Sequence, residues 1–214
     1  MPVIYQPVRV LLEEQVKKYS HYIKGKVLDV GAGSFSRYEG LFNCSEYIKM
    51  DVEKGNNVDI VGRAENIPFK NESFDSVVCT EVFEHLEDPY KAAGEIYRVL
   101  KRGGYCLITT PQTCELHEEP KDFFRYTNFG LKKIFTVQGF KVIKCEQRGG
   151  FFTTIAQQKM RYLVDRLNLY QKKWSRLLNP VFKLYSKLMN YLDKIDDSKA
   201  NQKHTLGWCL ILQK

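Results

Sequence analysis

Lys26-Val-Leu-Asp-Val-Gly-Ala-Gly-Ser34 is the stretch that decides how this chain folds. An apolar run ends at Val30 and glycines follow at Gly31 and Gly33, so a buried strand turns tightly into a loop whose backbone can touch a ligand. A second short run, Tyr47-Ile-Lys-Met-Asp51, ends in an acid about twenty residues further on. An acid there can grip the two hydroxyls of a ribose. The pair points to a nucleoside-containing cofactor. The dinucleotide fingerprint asks for a third glycine, and Ser36 stands in its place.

Moving outward, strand-like runs cover residues 26–30, 47–51, 58–61, 74–79, 105–110, 141–146 and 205–212. Helical spacing after Pro7 predicts a helix entering the first strand. A second helix is expected over 88–101, with Pro89 in its first turn and Gly103-Gly104 stopping it, and a third over 128–138. Strands alternating with helices predict an α/β fold with a Rossmann-like, mostly parallel sheet covered on both faces. The expected division is a core over 1–150, a helical insert over 151–203, and a last core strand over 204–214. Within the insert, two apolar stripes at 3–4 spacing (160–178 and 181–195) are separated by Asn179-Pro180, the pair an N-cap and a first-turn proline would make.

The 214 residues carry a formal charge of +8, unevenly placed. The insert holds eleven Lys/Arg against four Asp, a net +7, which leaves +1 for the rest. The six cysteines include no C-x-x-C pair, and four fall in strand-like runs, as buried free thiols in a reducing compartment would. The N-terminus shows no basic-then-apolar leader, and no run of eighteen apolar residues appears. A cytoplasmic protein is expected, with peripheral contact at the inner membrane surface as one option. No His/Cys/carboxylate set has metal-ligand spacing, so no metal is expected.

Five further segments follow in order: Arg63-Ala-Glu-Asn-Ile-Pro-Phe69, Glu72-Ser-Phe-Asp-Ser-Val-Val-Cys79, Thr80-Glu-Val-Phe-Glu-His-Leu86, Glu95-Ile-Tyr-Arg-Val-Leu-Lys-Arg-Gly-Gly104 and Tyr105-Cys-Leu-Ile-Thr-Thr-Pro111. In order and spacing they resemble the class I S-adenosylmethionine (SAM)-dependent methyltransferases, of the type 11 kind, from about residue 25 to 150. Gly31-Ala-Gly-Ser-Phe-Ser-Arg-Tyr38 and His117-Glu-Glu-Pro-Lys-Asp-Phe-Phe-Arg-Tyr-Thr127 are similar to a bacterial branch associated with cell-surface polysaccharide synthesis. The resemblance implies a seven-stranded sheet with an antiparallel last strand, and SAM as cofactor. It implies that Asp29, Gly31, Ala32 and Gly33 line the methionine part, Asp51 binds the ribose, Ala64 and Glu65 meet the adenine, and Glu81 sits at the cofactor rim. Two residues depart from the usual form: Phe35 replaces a glycine, and Arg63 stands where an acid commonly meets the adenine amino group.

His85 follows the fourth strand at the rim where open α/β sheets bind ligands. His117 lies in a polar loop after the fifth strand and could take a proton from a sugar hydroxyl as the methyl arrives. Arg125 could hold a carboxylate or phosphate of the substrate. The expected function is methyl transfer to an oxygen of a small-molecule or lipid-linked saccharide. Two other functions stay open: a methyltransferase for RNA or a small metabolite, and a non-catalytic SAM-fold binding module. Three roles stay open for the basic insert: helices packed on the domain, a membrane-surface helix pair, and, less favoured, a nucleic-acid contact, since no RNA-binding motif accompanies the charge. Nothing in the sequence specifies an oligomer.

Overall fold

A computed structural model describes residues 4–33 and 37–214, so Ser36 and the Phe35 departure lie outside the described residues. The chain forms two compact units. The sheet unit comprises Gln15–Gln112, Leu116–Glu146 and Trp208–Lys214; the helical unit comprises Met1–Glu14, Thr113–Glu115 and Gln147–Gly207.

The strands are β1 (Lys24–Val30), β2 (Asn43–Asp51), β3 (Ile60–Val61), β4 (Phe74–Thr80), β5 (Leu100–Pro111), β6 (Lys141–Gln147) and β7 (Gly207–Gln213). They form one sheet in the order β3-β2-β1-β4-β5-β7-β6. β1 pairs in parallel with β2 and β4, β2 with β3, and β4 with β5. Gly103 donates to the Lys214 carbonyl at 2.9 Å and Lys214 to that of Gly104 at 3.1 Å, which sets the end of β7 beside the start of β5. The last strand therefore runs against its neighbour, as expected. Val27, Leu28 and Val30 of β1 and Val77, Val78 and Cys79 of β4 are buried without alternation, because both faces of a parallel sheet are covered. The strand order reverses between β1 and β4, and a doubly wound sheet opens its ligand crevice at that reversal.

The helices of this unit are built by their caps. Asp88 accepts the Lys91 N–H at 3.0 Å at the start of α2 (Pro89–Val99), and Pro89 occupies the first turn. Ala92, Ala93, Ile96 and Val99 form its buried face. The helix stops two residues before its expected end, because Leu100 pairs with Phe74 and already belongs to β5. α3 (Asn128–Thr136) is capped by Thr127 and buries Leu131, Ile134 and Phe135.

Arg98 ties the 63–71 loop to α2. Its guanidinium meets the Glu95 carboxylate twice at 2.7 Å and the carbonyls of Phe69 at 2.7 Å and Ile67 at 2.9 Å. Glu95 in turn accepts the Ile67 N–H at 2.9 Å.

In the helical unit, α4 (Phe151–Arg166) has its N-terminal N–H groups satisfied from far along the chain. Asp193 on α5 (Asn179–Ile195) accepts from Gly150, Phe152 and Thr153 at 2.9, 2.9 and 3.0 Å, and Asn201 from Phe151 at 2.7 Å. The first apolar stripe does not form one helix to residue 178. Asn168 adopts a left-handed conformation (φ 50°) that ends α4, and its later apolar residues fall on short turns, Leu169–Gln171 and Lys173–Leu178. Asn179 does not cap α5; its Oδ1 accepts the Tyr5 N–H at 2.8 Å. Met160 and Val164 of the first stripe are buried, whereas Val181, Leu184, Leu188 and Ile195 of the second face solvent.

Arg98 makes four hydrogen bonds to charged or backbone partners, so Arg98→Ala should lower the unfolding free energy by about 2 kcal/mol. Lysine lacks the planar fork, and Arg98→Lys should recover less than half of that loss in urea titrations.

Candidate cofactor and acceptor site

A cleft of about 570 Å³ opens at the reversal, within the size range of small-ligand sites. Gly31 and Gly33 line one wall, both with positive φ (76° and 62°). A Cβ on Gly31 would lie 2.3 Å from Val82 Cγ2, so only glycine lets this loop approach the one that follows β4. Among the described residues, a Cβ on Gly33 would meet nothing within 4 Å, which leaves room for a ligand against its backbone. Gly31 and Ala32 both donate to the Met50 carbonyl, at 2.8 and 3.1 Å, which draws the loop onto the end of β2.

Asp51 stands at that end. Its Oδ2 accepts the Gly33 N–H at 2.8 Å and its Oδ1 the Glu53 N–H at 3.2 Å, so each oxygen keeps a further lone pair for a ribose hydroxyl. Ala64 and Glu65 line the opposite wall, both buried, with Arg63 Nη2 3.4 Å from Glu65 Oε1. Here Arg63 is an ion-pair partner of the neighbouring acid. Glu81 lines the rim in the left-handed region (φ 54°), and its N–H is held by the Thr109 carbonyl at 2.9 Å.

Like Ala32, His117 and Arg125, Asp29 is not among the residues that line the cleft. It is buried at the end of β1, where Oδ2 accepts the Tyr47 hydroxyl at 2.8 Å, a partner the sequence did not reveal. Burial pushes its carboxyl up to about 6, against the lowering pull of that hydrogen bond.

On the acceptor side, two loops are zipped together by backbone. The Glu84 carbonyl accepts the N–H groups of Phe123 and Phe124 at 2.8 and 3.1 Å, and Tyr126 donates its hydroxyl to the Phe83 carbonyl at 2.9 Å. This brings His85 and His117 into edge contact, with ring centroids 4.9 Å apart. His85 Nδ1 lies 2.7 Å from the Lys121 carbonyl, and its Nε2 3.8 Å from Glu84 Oε1. His117 Nε2 lies 3.9 Å from the same Glu84 oxygen, and its Nδ1 3.3 Å from Asp122 Oδ2 and 3.5 Å from Arg125 Nη2. The Glu84 side chain is fully buried.

Arg125, expected to hold an anionic substrate group, is bound to Asp122 in a two-pronged pair of 2.5 and 2.6 Å. These hydrogen bonds hold the Asp122 carboxyl down at about 2. Arg125 is thus a positioning residue for the acid behind His117. Glu84, which sequence reasoning passed over, supplies the carboxylate between the two imidazoles. Donor atoms of Glu84, His85 and His117 lie within 4.8 Å of one another, a grouping that could hold a metal ion. The fold assembles it from adjacent Glu84 and His85 and from His117 more than thirty positions on, beyond the reach of a spacing rule.

The family described as "Methyltransferase domain" matches residues 28–108. The chain is 33% identical over 145 residues to an uncharacterized protein of Methanocaldococcus jannaschii, spanning 59% of this chain and 70% of that one. It is 30% identical over 122 residues to the ubiquinone/menaquinone biosynthesis C-methyltransferase UbiE of Wigglesworthia glossinidia brevipalpis, spanning 56% of this chain and 43% of that one. The fold matches that of Haemonchus contortus phosphoethanolamine N-methyltransferase 2, solved in complex with SAM, with a TM-score of 0.58 at 19% identity over 96% of this chain and 52% of that one. Residues 28–108 belong to the methyltransferase domain family, and the fold is that of a SAM-bound methyltransferase. The carboxylate of Asp51 and the space over Gly33, open among the described residues, are the features of the cleft that fit SAM.

Replacing Asp51 with alanine removes a carboxylate partner worth about 1.5–3 kcal/mol. Calorimetry should show SAM binding weakened at least tenfold. Asp29 has a folded pKa near 6 against 3.8 unfolded, so the stability it contributes below pH 4 is lost as pH rises through 6. Asp29→Asn should therefore raise the unfolding free energy at pH 7.5 by roughly 1–3 kcal/mol, and by much less at pH 4.

Proposed function

We propose that this protein transfers the SAM methyl group to a hydroxyl oxygen of a saccharide or polysaccharide precursor, free or lipid-linked. The observation that carries this reading is the Asp122–His117 pair. Asp122 Oδ2 accepts the His117 backbone N–H at 3.0 Å and lies 3.3 Å from Nδ1; with the Nδ1 proton turned to that carboxylate, the Nε2 lone pair is the base. The orientation parallels that of a carboxylate–imidazole pair in hydrolases, with the sulfonium methyl in place of an acyl carbon.

The steps balance simply. A hydroxyl oxygen attacks the methyl carbon in line, the carbon–sulfur bond breaks to give S-adenosylhomocysteine, and the hydroxyl proton passes to His117 Nε2. Holding both reactants in line supplies roughly 7–11 kcal/mol of such a barrier. Glu81, Glu118 and Lys121 line the acceptor end of the cleft with polar groups, and Phe123 offers an aromatic face, a mixture suited to a sugar ring. His85 lines the same end and orients the acceptor beside Glu84.

A second reading has support in the relatives, since one is named as a C-methyltransferase. Acceptor screening with isotopically labelled SAM separates the two, because an ether methyl and a carbon-bound methyl have distinct carbon resonances. Loss of a general base typically costs 10²–10⁴-fold. His117→Ala should lower kcat by at least 100-fold and leave the SAM Kd within about twofold. Unchanged turnover would remove His117 from the chemistry. SAM binding without turnover on any acceptor would point to a binding module.

A further inference from the structure

The outward face of α5 carries Val181, Leu184, Leu188, Tyr191 and Ile195, spaced to form one stripe along the helix. All five are solvent-exposed, Leu184 at 71%. The stripe continues onto the preceding turn through Leu177 (78%) and Trp174 (54%). The other side of α5 is already used: Ser186 is buried, and Tyr185, Met189 and Leu192 are partly so. The helix is thus apolar on two sides, and among the described residues one has no cover. A contiguous apolar surface of this kind on a monomer marks an interaction site.

Its surroundings define the occupant. Lys183, Lys187 and Lys194 are exposed and follow one line beside the stripe, about a quarter-turn round the helix. Lys172, Lys173 and Arg176 are exposed around Trp174, with Lys172 Nζ 5.9 Å from the Trp174 ring. Asp193 is the one acid on α5, and its oxygens cap α4. A second copy meeting this face across a two-fold axis would bring lysine line against lysine line. RNA offers phosphates but no apolar phase for seven large side chains. An anionic bilayer offers both.

We infer that the outward face of α5, with the turn before it, docks on an anionic lipid surface, lying in the interface plane with its apolar stripe among the acyl chains and its basic line at the headgroups. At seventeen residues α5 is about 25 Å long, and no helix among the described residues is long and apolar enough to cross a membrane. Docking is independent of methyl transfer, so either proposal can fail alone.

The test is cosedimentation of the full chain with vesicles of phosphatidylcholine alone, or of phosphatidylcholine mixed with phosphatidylglycerol. Two double variants at exposed positions, Leu184→Glu/Leu188→Glu and Lys183→Glu/Lys187→Glu, accompany it, with circular dichroism confirming their fold. Each basic residue at an anionic surface is worth about fivefold in partitioning. The wild type should partition into anionic vesicles at least tenfold better than into neutral ones, and progressively less as salt rises. The lysine variant should lose at least tenfold, and the leucine variant should lose binding to both. Absence of wild-type binding to anionic vesicles, or wild-type behaviour of either variant, overturns the inference. A wild-type dimer in light scattering that the leucine variant converts to monomer would give the face to a second copy. RNA binding without vesicle binding would give it to nucleic acid.

Discussion

The contact that organises this molecule is the approach of Gly31 to Val82. A side chain at residue 31 would have its Cβ 2.3 Å from Val82 Cγ2, so the loops after β1 and β4 are held closer than any other residue type permits. They can converge because the strand order reverses between those two strands. The consequences run in series. Val82 leads directly into the Phe83–His85 turn, so placing Val82 places Glu84 and His85. The Glu84 carbonyl then gathers the N–H groups of Phe123 and Phe124, and that loop delivers His117. Cofactor wall and acceptor wall are therefore parts of one backbone arrangement.

Environment separates the roles of three acids in the sheet unit that the bare sequence treats alike. Asp29 is buried with one hydroxyl partner and titrates near 6, the mark of a carboxylate short of compensating charge. Asp122 has a two-pronged arginine and stays ionised to about 2. Asp51 sits at the cleft with its oxygens on backbone N–H groups. Of the three, only Asp51 is among the residues lining the cleft, and Asp122 lies 3.3 Å from the His117 ring. Divergent environments for like groups assign tasks at a site more reliably than residue type does.

The sheet, its helices and Asp51 were legible because each is written in local terms: an apolar run, a glycine pair, a capping acid, an acid at a strand end. What was not legible is written across distance. Glu84 looks like a polar residue in a turn until two loops close around it. Arg125 looks like a free cation until Asp122 is seen to take both its prongs. Asn179 has the form of a helix cap, yet its side chain serves Tyr5, at the far end of the chain. The α5 stripe shows the same limit: helical spacing reveals that an apolar face exists, but which side is covered depends on what packs there.

Asp193 connects the assembly of the helical unit to its outer charge. Its carboxylate satisfies three N–H groups at the start of α4, a position where the helix dipole also favours an anion. Had that cap come from α4 itself, as a serine or aspartate just before Phe151 would have supplied it, α5 would keep a free acid beside Lys194. Gly150 precedes α4 instead and makes no side-chain cap. The one acid of α5 is therefore drawn inward, and the acid beside Lys183 and Lys187 comes instead from α1 (Pro7–Tyr19), where Glu14 lines a small cavity with them. That α5 itself presents only cations beside its exposed apolar stripe is thus a consequence of how α4 is started.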